Sequence, residues 1–142
     1  MIKKILKYPD TALKTKSIDA VSLEEVSELI QDLWDTSHST TWGNCVGLAA
    51  NQIGVCKRVF YANGILYINP EILKYSDRKE EYLEGCYSLE DNKFDYKITR
   101  AFKIKVRYKD RNWNEREKEL KGFHAQVFLH EYDHLEGKTC AG

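Results

Sequence analysis

Apolar residues recur with a helical period in two segments, one toward each end of the chain. Between Ser22 and Trp34 they fall three and four positions apart on one face: Leu23, Val26, Ile30, Leu33 and Trp34. Ser22 and Glu25 have the spacing of a capping box, in which each side chain accepts the other residue's backbone N–H. The pattern therefore predicts a helix that begins after Ser22, and a second helical pattern predicts a helix over Phe123 to Leu135.

Between these helices the period changes to that of β-strands. Two short β-prone runs, 58–61 and 65–68, flank Asn63 and Gly64 and predict a hairpin. Segment 97–108 alternates apolar with basic residues and predicts one long strand. A turn at 110–112 leads to 113–120, which predicts a charged strand at a sheet edge. Strands in the middle with a helix near each end predict an α+β fold.

Composition narrows the function classes. The chain has 142 residues, and we expect one domain over 1–142. Lys plus Arg (22) equals Asp plus Glu (22), so no basic surplus supports direct nucleic-acid binding. No apolar run approaches the ~20 residues of a transmembrane helix, and the N-terminus lacks the apolar core of a secretory signal. We expect a cytoplasmic protein without a membrane partner. If the protein is viral, we expect it in the cytoplasm of the host cell. The alternative location is an organelle.

The candidate chemistry lies in the second predicted helix, where residues 130–134 have the form H-E-x-x-H. His130 and His134 lie one turn apart, so both imidazoles can reach one metal ion. Glu131 lies about 100° around the helix, where it can act as general base toward a water molecule that the metal activates. The alternative is a surface helix with incidental histidines, and the apolar side of this segment argues against it.

A catalytic site of this kind has three protein ligands and an open position. The chain has four cysteines, which a protein without an export signal keeps reduced, free or on metal. Cys140 has a spacing from His134 that resembles the metzincin pattern, but it lies close to the end of the sequence, where fraying is expected. Cys86, in Glu84-Gly85-Cys86-Tyr87-Ser88, would by itself be a buried structural thiol, yet beside an incomplete metal site it is the better candidate.

A third segment, Val46 to Gly54, is rich in small residues, which let the backbone approach a ligand or the metal helix closely. Gln52 offers an amide donor and acceptor within it. The alternative interpretation is a tightly packed turn that contains a satisfied glutamine.

These three segments, in this order, resemble the motifs of the peptide deformylase family. The family motifs G-x-G-L-A-A-x-Q, E-G-C-x-S and H-E-x-D-H-L-x-G correspond to residues 45–52, 84–88 and 130–137. The resemblance covers nearly the whole chain. It implies antiparallel sheets packed around the H-E-x-x-H helix, with another helix near the N-terminus. It also implies removal of the formyl group from N-formylmethionine on newly made polypeptides, with release of formate.

The resemblance further implies site residues. One divalent metal ion, Fe²⁺ in the native enzyme and replaceable by Zn²⁺ or Ni²⁺, would be held by Cys86, His130 and His134. Glu131 would be the general base, while Gln52 and the backbone N–H of Tyr87 would stabilise the oxyanion. The extended peptide would lie along Val46 and Gly47, with the methionine side chain in a pocket near Val46, Phe123, Gln126 and Val127. Arg100 would pair with Asp133 and fix the metal helix.

The chain also departs from the family pattern. Cys45 stands in place of the first glycine, Tyr87 in place of an apolar residue, and the family's substrate-contacting arginine has only Lys93 as a weak candidate. The sequence ends before the C-terminal helix of many bacterial members, so transient contact with the ribosome stays open, and we expect a monomer. Two rival hypotheses are a small metallopeptidase with Cys140 as third ligand and a metal-free binding module.

Overall fold

A computed structural model of the chain describes residues 1–39, 46–86, 88–89 and 96–140. Its helices are α1 (Thr11–Lys14), α2 (Leu23–Ser37) and α3 (Phe123–Leu135), with a 3₁₀ helix at Ala50–Ile53. Its strands are β1 (Gly47–Ala49), β2 (Val59–Ala62), β3 (Ile65–Tyr75), β4 (Lys79–Glu84), β5 (Tyr96–Ala101), β6 (Lys103–Lys109) and β7 (Glu115–Lys121). The predicted α+β class is confirmed. Within the described ranges no helix is long and apolar enough to cross a membrane.

The strands form two antiparallel sheets. Five of them pair in the order β1-β2-β3-β6-β7, and β4 pairs with β5 in a separate two-stranded sheet. Helix α3 packs against β1, β2 and β7 of the larger sheet and against β5 of the smaller one. The helix with the H-E-x-x-H motif is therefore held between both sheets.

Two apolar clusters fix the helices on the two faces of the larger sheet. Phe60 belongs to the cluster that includes Phe128 of α3, and Val59 belongs to the cluster that includes Val26 of α2. Neighbouring strand residues point to opposite faces, so α2 and α3 cover opposite sides of β2. The rings of Phe60 and Phe128 meet edge to face with centroids 5.1 Å apart. Full burial of such a side chain contributes about 1.5–3 kcal/mol, which holds α3 firmly in place.

Several sequence predictions are confirmed. Helix α3 has the predicted bounds, β7 is an edge strand, and β2 and β3 form the predicted hairpin. Asn63 and Gly64 have φ values of 51° and 77°, the left-handed conformation that a tight hairpin turn requires. The Ser22 hydroxyl accepts the Glu25 N–H at 3.2 Å, as a capping box predicts. The Glu25 carboxylate, however, accepts the N–H of Val21 rather than that of Ser22.

Other predictions about the strands and α2 are wrong. The single strand over 97–108 is two strands, β5 and β6, which lie in different sheets and are separated at Phe102. There the Phe102 carbonyl accepts the Gly122 N–H at 2.8 Å, and the Arg78 guanidinium lies 3.9 Å from the centre of the Phe102 ring. Strands β1 and β4 were not predicted, because β1 is very short and β4 is mostly charged. Helix α2 extends to Ser37, and Trp34 is 40% exposed rather than part of the apolar face.

Candidate metal centre

The structure brings together the three residues predicted as metal ligands. The sulfur of Cys86 and one ring nitrogen each of His130 and His134 lie within 4.8 Å of one another. The two histidines are presented by successive turns of α3, with ring centroids 5.0 Å apart. Cys86 follows the end of β4 by two residues, and its Sγ lies 3.3 Å from His134 Nε2. One thiolate and two imidazoles form a three-ligand set that suits a divalent metal with a position left open.

We call the cluster of Cys86, His130 and His134 the metal centre. Cys140, the rival third ligand, also lies near it. Its sulfur, a Glu84 oxygen and a His130 nitrogen are within 4.8 Å of one another. Burial and the nearby Cys86 and Glu84 raise the pKa of the Cys140 thiol to about 12. Because the Glu84 carboxylate is already bound to Arg100 and to His130 Nδ1, this second set is the poorer one.

Glu84 fixes the orientation of His130. The Nδ1–H of His130 donates to one carboxylate oxygen at 2.8 Å, and Arg100 donates to both oxygens at 2.6 and 2.7 Å. Burial by itself would raise the pKa of Glu84, but the bonds from Arg100 and His130 outweigh it and lower the pKa to about 2. Glu84 therefore stays ionised and turns the Nε2 of His130 toward the centre.

Arg100 connects the Glu84 carboxylate to α3, the helix that carries His130 and His134. Its guanidinium donates to Asp133 at 2.9 Å, so the predicted Arg100–Asp133 pair is confirmed. The stronger partner, Glu84, was not predicted. The available signal was an acidic residue directly before Gly85-Cys86, together with an arginine inside a strand.

Glu131 lies beside the histidines and is 4% exposed. Its Oε1 is buried and has no hydrogen-bond partner in the described part of the chain. Burial raises the pKa of its carboxyl to about 7, although the neighbouring His130 opposes the shift. A Cβ atom on Gly47 would lie only 2.6 Å from Glu131 Oε2, so the carboxylate lies directly against the backbone of β1. Glu131 thus offers a carboxylate oxygen that no described residue occupies and that can accept a proton.

Gln52 is buried with its amide in a fixed direction. Its oxygen accepts the Ala49 N–H at 2.9 Å, while Nε2 donates to Cys86 Sγ at 3.3 Å and to Ser88 Oγ at 3.1 Å. The amide nitrogen is therefore the group that Gln52 turns toward the centre. Tyr87, the other predicted oxyanion donor, lies outside the described residues, as do Cys45 and Lys93.

The predicted substrate-binding residues differ in exposure. Val46 and Phe123 are exposed at 49% and 55%, whereas Val127 is 7% exposed and packs in the cluster with Phe128. Gln126 is half-buried and donates to Glu84 at 3.2 Å. The same carboxylate accepts from His130, so Gln126 and His130 share one partner. Gly47 begins β1, which lies at one end of the larger sheet in the described part and can pair with an extended peptide.

Comparison with known proteins agrees with this geometry. The sequence profile of the family described as polypeptide deformylase matches residues 2–141. Peptide deformylase from Clostridium beijerinckii is 41% identical, with 96% of this chain and 98% of the relative covered. The enzyme from Pseudothermotoga lettingae is 38% identical, with coverages of 96% and 80%. The crystal structure of peptide deformylase from Thermotoga maritima matches with a TM-score of 0.90 at 32% identity, covering 99% of this chain and 96% of that one.

Proposed function

The chain belongs to the peptide deformylase family, and we propose that Cys86, His130 and His134 hold the metal with which it works. Members of this family are metal-dependent hydrolases that remove the N-formyl group from nascent peptides, and this is the function of the chain. The observation that carries the proposed site is the convergence of three donor atoms within 4.8 Å beside a buried carboxylate.

The donor set limits the choice of metal. One thiolate and two imidazoles suit late first-row divalent ions better than Mg²⁺ or Ca²⁺, which prefer oxygen ligands. We propose Fe²⁺ as the native ion, with Zn²⁺ and Ni²⁺ as replacements. When bound, such an ion lowers the pKa of a water molecule and polarises the formyl carbonyl group.

Glu131 is proposed as the general base. It takes a proton from the attacking water and delivers it to the leaving amine as formate is released. The position of the carboxylate supports this role, because it is adjacent to His130 and keeps Oε1 without a partner among the described residues. Glu84 supports the step indirectly, since it holds the His130 ring in the tautomer with hydrogen on Nδ1.

Gln52 and the backbone N–H of Tyr87 are proposed as the oxyanion donors. Nε2 of Gln52 lies 3.3 Å from Cys86 Sγ, so its amide is already next to a proposed metal ligand. One such donor typically contributes about 2.7–4 kcal/mol to transition-state stabilisation. Substrate binding requires Nε2 to exchange one present bond, to Ser88 or to Cys86, for a bond to the oxyanion.

The N-formylmethionyl peptide is proposed to pair with β1 along Val46 and Gly47. The methionine side chain then enters a pocket formed by Val46, Phe123, Gln126 and Val127. The exposed apolar side chains of Val46 and Phe123 supply surface that the substrate can cover. We further propose that the protein works as a cytoplasmic monomer over 1–142 as one domain, with ribosome contact no more than transient.

Two cysteine variants test the assignment. Metal content and formate release from formyl-Met-Ala-Ser are measured on protein purified without oxygen. Cys86→Ala should lose both metal and activity, because one of the three ligands is gone. The matched control Cys140→Ala should keep both, since its thiol is not a ligand. The opposite result would move the third ligand to Cys140, and absence of formate release from the metal-loaded wild type would refute the proposed site.

A further inference from the structure

The two metal-binding histidines are held in different ways. The Nδ1 of His130 is fixed by Glu84, but the Nδ1 of His134 is buried without a partner in the described ranges. The Nε2 of His134 faces Cys86 Sγ at 3.3 Å. Histidine ligands are usually oriented through the ring nitrogen that does not bind the metal. Among the described residues nothing gives His134 that support, so contacts of its main chain are the ones that can fix its position.

The backbone of His134 is held from outside the helix by Asn51. This asparagine is fully buried in the 3₁₀ helix, and its Nδ2 donates to the main-chain carbonyl of His134. The same nitrogen donates to the Ala12 carbonyl of α1 at 3.4 Å. His134 lies in the last turn of α3, and its carbonyl also accepts the Gly137 N–H at 3.0 Å. Asn51 is therefore a second donor to this carbonyl, and it comes from a different part of the fold.

The chemistry of the contacts fixes the direction of the Asn51 amide. Both neighbours are carbonyl oxygens, which only accept, so the amide must donate both of its hydrogens. Its Oδ1 is left buried without a partner among the described residues.

Asn51 also lies directly before Gln52 in the chain. The 3₁₀ helix therefore presents the proposed oxyanion donor on one residue and holds the metal helix with the preceding one. The family motif quoted above leaves this position open as x, so the contact belongs to this chain's own sequence.

We propose that Asn51 is a positioning residue, which holds His134 through its main-chain carbonyl and thereby sets His134 relative to Gln52. This inference rests on the proposed roles of His134 and Gln52. Asn51 does not touch the reacting atoms, and its effect passes through the ligand geometry.

Two variants of similar size test the proposal. Asn51→Asp replaces both donated hydrogens by oxygen lone pairs that repel the two carbonyls, and Asn51→Leu removes the donors without adding a charge. We expect each to lower kcat for formate release about 10–100-fold, the usual effect of an outer-shell contact, with KM nearly unchanged. The visible absorption bands of the cobalt(II)-substituted protein should shift, because the ligand geometry changes. The leucine variant keeps the test open if the aspartate variant does not fold.

Asn69→Asp is the matched control. Asn69 makes the same kind of contact far from the centre, donating from Nδ2 to the Ala20 carbonyl at 2.8 Å. This variant should lose thermal stability while kcat and the cobalt spectrum stay unchanged. If both Asn51 variants behave like Asn69→Asp, the positioning role is wrong. If the wild type releases no formate while the cobalt spectrum still responds to Asn51, the proposed function fails and the positioning role stands.

Discussion

Gly47 of β1 and Glu131 of α3 are in such close contact that no side chain fits between them. A Cβ atom on Gly47 would lie 2.6 Å from Glu131 Oε2 and 2.9 Å from its Cδ. Position 47, the second glycine of the G-x-G-L-A-A-x-Q motif, therefore has to be glycine, because the carboxylate of Glu131 in the H-E-x-x-H motif occupies the space of a side chain. This contact joins the proposed peptide-binding edge to the proposed general base.

Gly47→Ala should impair catalysis more than stability. The new methyl group forces the Glu131 carboxylate to turn away, and loss of a positioned general base lowers rates by about 10²–10⁴-fold. We expect kcat to fall toward that range while bound metal stays constant, as measured by formate release and metal analysis.

Gly64→Ala is the matched control for this variant. Gly64 has a φ of 77°, and no atom lies within 4 Å of the position its Cβ would take. The alanine should lower the melting temperature through backbone strain and leave kcat intact. Equal losses of kcat in the two variants would contradict the proposed steric role of Gly47.

Glu131→Gln should separate metal binding from turnover. The amide keeps the shape of the side chain but cannot accept the proton, so kcat should fall about 10²–10⁴-fold. Metal content should match the wild type, because Glu131 is not a ligand. Glu81→Gln, an exposed change on β4, serves as the control, and a fully active Glu131→Gln protein would remove the proposed base.

Glu84→Gln should weaken both the fold and the metal site. It breaks a buried ion pair and leaves Arg100, which is 7% exposed, without its main partner, a change that typically costs about 3–5 kcal/mol. Loss of the carboxylate behind His130 should also reduce metal affinity about 10–100-fold. Urea unfolding and competition with a chelator measure the two effects.

Glu80→Gln on the same strand gives the comparison. Glu80 pairs with Arg78 at 2.7 Å on the surface, and such exposed pairs contribute about 0–1 kcal/mol. Metal affinity should not change in this variant. A Glu84→Gln protein with wild-type affinity would show that the carboxylate does not orient His130.

Removal of the metal should lower the melting temperature of the wild-type protein. The proposed ligands come from two separate segments, the residues after β4 and helix α3, so a bound ion links them in the folded state alone. A ligand present at 100 times its Kd contributes about 2.7 kcal/mol. Calorimetry with and without chelator should show the shift in the wild type and not in Cys86→Ala, and an equal shift in both would argue against Cys86 as ligand.

The pattern of apolar and turn residues was sufficient to predict an element wherever the structure of a segment depends mainly on its own residues. Helix α3 follows from apolar spacing, and the hairpin follows from Asn63-Gly64, because both depend on contacts between near neighbours in sequence. The break at Phe102 could not be predicted in this way. Alternating side chains show that a segment is extended but do not identify its partner strands, and here the partners change from β4 to β3 and β7.

The sequence by itself determined the chemical types at the site: two histidines and a carboxylate on one helix, a thiol after a glycine, and an amide among small residues. Their assignment to catalytic roles stays a prediction. The tertiary structure alone decided that Cys86 reaches His134, that Glu84 and Arg100 brace the centre, and that Gly47 leaves room for Glu131. Those contacts join residues dozens of positions apart, and their distances are set by the packing of α3 between two sheets, which no local pattern specifies.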